Sequence, residues 1–313
     1  MKALVTGGAG FIGSHLVDKL LEQGHHVICL DNFDPYYDPK IKRENIRHRL
    51  DTDNFELVEG DILDKTLLKK IIHDDGIDYI FHNAAQAGIR VSVENPIKPH
   101  DINTTGTLNI LETSLDSDVK KIINASSSSV YGKAEYLPFD EVHPKTPVSP
   151  YGVSKLAAEH YCRVFNEVYG LKTTSLRLFT VYGPRMRPDL AISIFTRRAL
   201  NNETIEIFGD GNKTRDFTYI DDVVEANMKA IGKGDGEAYN IGSGKRISVI
   251  ELAEKIIDIT QSNPKIIFTD PRKGDAEHTW ANIEKAKKEL DWEPKYDIHT
   301  GLKKYVEYVQ RRT

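Results

Sequence analysis

The sequence predicts an α/β fold, a doubly wound parallel sheet with a smaller α/β substrate-binding lobe. Three observations carry this. Short apolar runs alternate with amphipathic ones through the first 180 residues, and a glycine cluster joins the first apolar run to the first amphipathic one. After residue 180 the alternation gives way to short helical patterns between proline-bearing loops.

The first run, "KALVT" (2–6), leads through "TGGAGFIGSH" into a helical pattern at 11–23. Further strands are read at "HVICLD" (26–31), "FELVEGD" (55–61), "YIFHNAA" (79–85), "KIINASS" (121–127) and "TTSLRLF" (173–179). Helical patterns at 64–75, 101–116 and 150–169 separate them. Nearly continuous apolar strands with helices between them fit a parallel sheet covered on both faces, whose ligands lie outside the carboxyl ends of the strands. In the second half "YGPRMRPD", "SNPKI", "TDPRKGD" and "WEPKY" separate helices near 190–201, 221–232, 248–260 and 282–290. Residues 1–180 are expected to bind a nucleotide, and 181–313 to form a lobe over the ligand edge. No linker rich in Gly or Ser divides them, so the boundary is soft and segments can exchange across it.

The 313 residues are 39% hydrophobic and 28% charged, with a net charge of −5, as in ordinary soluble proteins. A phosphate backbone calls for a basic face, so nucleic acid is not an expected partner. Two cysteines, Cys29 and Cys162, sit in apolar surroundings without metal spacing, which fits a reducing compartment. No targeting segment is visible, and no apolar run approaches the roughly 20 residues that span a bilayer. A cytoplasmic protein without membrane contact is expected.

Gly7, Gly10 and Gly13 are spaced for a tight strand-to-helix turn, with Gly8 as a further small residue. Such a turn lets backbone approach a pyrophosphate, which then meets the free N–H groups of a helix N-terminus. Phe11 and Ile12, between the glycines, belong to the same contact surface. A glycine turn is ordinary by itself, but here strand 2 ends in Asp31 at the distance expected for a ribose carboxylate. Asp31, with Asn32 beside it, accepts from ribose hydroxyls and repels a 2′-phosphate, which favours NAD over NADP. Asp61 and Ile62 close strand 3 at the adenine end, where Asp61 equally serves as a helix cap; Asp64 is read as a cap. Ala84 and Ala85, small residues ending strand 4, let backbone pass close to a flat cofactor.

"SPYGVSKLAAEH" puts Tyr151 and Lys155 four residues apart, on one helix face. A phenol is a poor base at neutral pH, but a nearby ammonium stabilises its phenolate. The pair could then take a proton from a sugar hydroxyl as hydride leaves the same carbon. Tyr151 and Lys155 also count among the cofactor contacts. "SSSSVYG" (126–132) delivers hydroxyls beside this helix, though serines at a strand end also cap their own backbone, and Ser128 and Ser129 have that second reading.

"TGGAGFIGSH", "SSSSVYG" and "YGVSK", in this order and spacing, resemble the extended short-chain dehydrogenase/reductase family, the nucleotide-sugar epimerases and dehydratases with a Rossmann-type domain. The likeness runs on through "FGDGNKTRDFTYIDD", "YNIGSG" and "PRKGD…ELDW". It implies Ser127 as catalytic hydroxyl, Tyr151 as acid/base, Lys155 as its partner and NAD as cofactor. It also implies Arg215 and Arg272 as ligands of a substrate diphosphate, and a homodimer paired through the helices at 101–116 and 150–169. Related dehydratases and decarboxylases carry acidic residues before "VYG", where this chain has Ser128 and Ser129. That absence implies oxidation at C4, rotation of the 4-keto sugar and hydride return, which is 4-epimerisation. "DNFDPYYDPKIKREN", "AAQAGIR" and "LRLFTVYGPRMRPD" resemble UDP-glucuronate 4-epimerases more than UDP-galactose 4-epimerases. UDP-glucuronate is therefore placed ahead of UDP-glucose and UDP-galactose, with Ser127, Ser128, Thr180 and Arg187 to receive the sugar carboxylate. "LAISIFTRR" departs from that pattern, since some glucuronate epimerases place an arginine there; Arg90 or Arg187 would compensate. The rival readings are a dehydratase or decarboxylase of the same fold, and a non-catalytic NAD sensor.

Overall fold

A computed structural model describes residues 1–270 and 276–312. Seven parallel strands form the central sheet: β1 (Lys2–Thr6), β2 (His26–Asp31), β3 (Phe55–Glu59), β4 (Tyr79–His82), β5 (Lys121–Ser127), β6 (Thr173–Leu178) and β7 (Ala238–Ile241). Their spatial order is β7-β6-β5-β4-β1-β2-β3, so the chain winds outward from β1 in both directions. The turning point lies between β1 and β4, where such sheets open a crevice.

Alternation along the strands divides the core. Leu4, Ile28, Ile80 and Ile122 face one side, against Cys162 and Phe165. Ala3, Val5, Val27, Cys29 and Phe81 face the other, against residues such as Val223 and Ala226. All are fully or almost fully buried, and each large aliphatic side chain contributes about 1.5–3 kcal/mol by leaving water.

The helices used below are α1 (Phe11–Glu22), α2 (Pro39–Ile46), α3 (Gly106–Thr113), α4 (Pro150–Tyr169) and α5 (Ile220–Ala230). Helix α4 has a defined start and stop. The Ser149 hydroxyl accepts from Gly152 N at 3.1 Å, Pro150 occupies the first turn, and Gly170 takes the left-handed conformation (φ 72°) that ends the helix.

Strand and helix positions agree with the sequence reading to within a few residues, with particular differences. The pattern at 101–116 begins as a π-helical stretch, His100–Thr105, before α3. The pattern at 64–75 likewise divides into an α-helical turn and a π-helical one. The sheet draws its last strand, β7, from beyond residue 180, where it pairs in parallel with β6 (Asn240 opposite Arg177). Helix α5 returns to pack on α1. The lobe keeps three two-stranded pairs of its own: Thr180–Tyr182 with Phe217–Tyr219, Ile205–Phe208 with Ile266–Thr269, and Thr214–Arg215 with Ile247–Ser248.

Candidate active site

The carboxyl ends of the central strands open on a cavity of about 860 Å³. Its floor is the glycine turn after β1. Gly7 has φ +64°, and a Cβ there would lie 2.8 Å from the Ala84 backbone nitrogen; one at Gly13 would run into the Gly7 carbonyl. Only hydrogen fits at either position, which brings bare backbone to the cavity wall. Gly10, Phe11, Ile12 and Gly13 all line it, and no side chain caps the start of α1. The unspent N–H groups of that first turn form a cradle for an anion.

Next to the cradle, Asp31 ends β2 almost fully buried. Its Oδ2 accepts from Ala9 N at 3.1 Å and its Oδ1 from Phe33 N at 2.8 Å. Asn32 donates to Asp61 Oδ2 at 2.8 Å, while Asp61 Oδ1 accepts from Leu63 N at 2.9 Å. Asp61 thus caps a turn and lines the cavity, together with Ile62. Asp64 accepts from Leu67 N and is a helix cap. Ala84 and Ala85 line the wall beside Asn83, whose buried Oδ1 has no hydrogen-bond partner.

At the opposite end β5 meets α4. Ser126 points away from the cavity's chemistry: its hydroxyl donates to Glu159 Oε2 at 2.8 Å, and Glu159 in turn takes a bidentate pair from buried Arg177. Ser127 points to the cavity. Its Oγ accepts from Ser129 N at 3.1 Å, and its hydroxyl is close enough to the Tyr151 phenol to favour the phenolate. Lys155 is buried one turn below Tyr151 and donates to the Ala125 carbonyl at 2.7 Å. Burial pushes its ammonium down to about 8. Burial likewise pushes the Tyr151 phenol above its ordinary value, opposed by the Ser127 hydroxyl and the Arg187 guanidinium.

The groups that favour the phenolate here are Ser127 and Arg187, while the Lys155 ammonium donates to the Ala125 carbonyl. One correction concerns Ser128. The turn Ser128–Val130, closed by Ser127, carries Ser128 off the wall and puts Ser129 on it.

Thr180 and Arg187 line the cavity. Arg187 makes a paired contact with Asp189 (3.1 and 3.2 Å) and lies 5.1 Å from the centre of the Tyr36 ring. Arg90 is on the wall too, held by Glu94 at 3.1 Å. Arg215 is not part of this lining; its Nη1 donates to the Thr214 and Glu277 carbonyls. Arg272 lies outside the described residues. The sequence reading missed Tyr36, Tyr37, Lys42, Gln86 and Asp189, all on the cavity wall. They sit on loops and on the short helix α2, where no periodicity marks an inward face.

The donor set fits a dinucleotide: a bare-backbone anion cradle, a buried carboxylate one strand away and an unpaired amide oxygen along the path to the phenol. Gly7, Gly13, Asp31 and Asn83 are the residues that would hold it. No helix among the described residues is long and apolar enough to cross a membrane, and no cluster of metal-ligating side chains occurs among them.

The profile of the GDP-mannose 4,6 dehydratase family matches residues 4–305. A UDP-glucuronate 4-epimerase of Thermodesulfobacterium geofontis is 40% identical over 307 residues, 97% of this chain and 95% of that one. The structure of Thermotoga maritima UDP-glucose 4-epimerase with UDP-glucose superposes with a TM-score of 0.93 at 41% identity, covering 100% of this chain and 99% of that one. The structure of Bacillus cereus UDP-glucuronic acid 4-epimerase with UDP-glucuronic acid and NAD gives 0.94 at 36%, covering both chains fully.

Proposed function

The chain belongs to the GDP-mannose 4,6 dehydratase family of extended short-chain dehydrogenases/reductases, and on that premise we propose that it is an NAD-dependent UDP-sugar 4-epimerase that favours UDP-glucuronate over UDP-glucose and UDP-galactose. One observation carries the reaction. Ser127, Tyr151 and Lys155 meet at the end of the cavity away from the anion cradle, and no carboxylate stands at positions 128 or 129.

A bound nicotinamide supplies a hydride acceptor that can also return the hydride. The protein does the rest. Tyr151 takes the proton of the sugar C4 hydroxyl and gives it back after the 4-keto sugar has turned. Ser127, fixed by the Ser129 N–H, holds the reacting oxygen against the phenol. Lys155 acts from below, its ammonium oriented by the Ala125 carbonyl. Ser128 and Ser129 supply no carboxylate beside Ser127 to act as the acid or base of an elimination.

Support for a glucuronate substrate comes from Arg187, which is close enough to act electrostatically on the Tyr151 phenol, and from Thr180 on the same wall. A guanidinium near the reacting carbon suits a sugar carboxylate. We assign residues 1–180 to the cofactor and 181–313 to the sugar nucleotide, with β7 and α5 exchanged across that boundary into the sheet layer, and place the enzyme in the cytoplasm. We further assign a homodimer, supported by exposed Val153, Tyr161, Val164 and Val168 along α4. Incubation with UDP-glucuronate, UDP-glucose and UDP-N-acetylglucosamine, read by NMR and mass spectrometry, tests the assignment. A C4-inverted product of unchanged mass is expected, fastest from UDP-glucuronate; loss of water or carbon dioxide would refute it.

A further inference from the structure

We propose that Lys42 is a cofactor-specificity residue whose spare donors face the adenosine ribose, and whose charge Asp31 cancels so that a 2′-hydroxyl fits and a 2′-phosphate does not. The inference rests on the NAD-dependent reading above and adds to the ribose corner a residue of opposite charge.

Lys42 lies on α2, which Asp38 caps through Lys40 N. Its side chain is 10% exposed and lines the cavity. A buried ammonium is rare unless something answers its charge. Here Asp31 Oδ1 is 3.6 Å from Nζ, close enough for attraction but beyond a normal hydrogen bond. The Tyr37 ring centre is 5.3 Å away. Neither contact uses up the three N–H donors, and no hydrogen bond of Lys42 is seen among the described residues.

Neighbouring cations are committed elsewhere. Arg43 makes a two-point contact with Glu59 at 2.9 and 3.0 Å and stacks on Phe33, and Lys98 is held by Asp34 at 2.9 Å. Asp31 itself is half spent, since each oxygen already accepts one backbone N–H. What the corner offers a ligand is therefore a carboxylate with room for one more bond per oxygen, beside an ammonium with donors in hand. A pair of ribose hydroxyls, each both donor and acceptor, matches that set. A doubly charged phosphate meets Asp31 first. With the charge at 31 removed, Lys42 is left as an uncancelled cation in a low-dielectric corner, which is an anion site.

The test is a double-mutant cycle on the full chain freed of nucleotide, titrated calorimetrically with NAD⁺ and NADP⁺. Asp31→Asn is expected to tighten NADP⁺ by about ten-fold or more, and the added Lys42→Met to return it to the wild-type value. Lys42→Met by itself is expected to weaken NAD⁺ several-fold, with Lys42→Arg restoring most of the loss. NADP⁺ binding equally tight in Asp31→Asn with and without Lys42 overturns the proposal. So does unchanged NAD⁺ affinity in Lys42→Met, which decides the matter even if the Asp31 variant does not fold. A wild-type chain that binds neither dinucleotide overturns the NAD-dependent reading itself.

Discussion

The two ends of the cavity are built on opposite principles. At the adenosine end, Asp31, Asn32 and Asp61 have their hydrogen bonds supplied by backbone and by one another. At the β5–α4 end, burial drives the Lys155 ammonium down to about 8 and the Tyr151 phenol up, with few partners to compensate. Groups anchored in place with acceptor capacity left over hold a ligand in one position. Groups forced away from their ordinary protonation can change state when a ligand arrives. The difference separates holding from reacting within one crevice.

The contrast is open to direct tests. Tyr151→Phe should lower turnover by about 10³-fold or more while NAD⁺ affinity stays within about two-fold, measured by coupled assay and calorimetry. Comparable losses in both would merge the two ends. Lys155 gives the next largest effect, in stability. Its ammonium titrates at about 8 when folded against 10.5 ordinarily, so between those values the unfolded chain binds more protons. Stability of the nucleotide-free chain should therefore rise as pH climbs through that window, by on the order of 3 kcal/mol. In Lys155→Met the rise in pH-dependent urea midpoints should shrink, leaving the part that Lys121 and Lys145 contribute with the same sign. Asp31→Ala should weaken NAD⁺ by about ten-fold and leave the turnover of saturated enzyme near wild type, a binding effect without a chemical one. Smallest is Ser149→Ala, which removes the cap of the helix carrying the reactive pair and should cost about 1 kcal/mol by urea unfolding.

What the sequence discloses follows the same division. The glycine turn, Asp31 and the helix bearing Tyr151 and Lys155 were legible because each is a short-range signal: a fixed spacing, a strand end, an i,i+4 face. The serine run announced hydroxyls but not which of them faces the cavity. That depends on the turn after Ser127, which swaps Ser128 for Ser129. The bond from Lys155 to the Ala125 carbonyl was not legible, since an i,i+4 face does not say which backbone carbonyl of β5 the ammonium will meet. Lys42 and Asp189 stayed hidden, because nothing local marks which residues of a loop or short helix a distant strand end will meet. The seventh strand escaped for a related reason. "AYNIGSG" is four strand residues ahead of a glycine turn, and only its pairing with β6 makes it part of the sheet.

That late strand bears on how the chain comes to be folded during synthesis. Residues through β6 can assemble six strands as they leave the ribosome, yet Thr173–Leu178, every one buried in the finished molecule, would then lie on an open margin. Some sixty residues more must emerge before Ala238–Ile241 seals it. A fragment ending near 180 would carry that unsealed margin permanently, and a strand with unpaired backbone N–H and C=O groups is a template for joining other chains. Expressed by itself, such a fragment should collect in insoluble material, whatever its ability to hold a nucleotide.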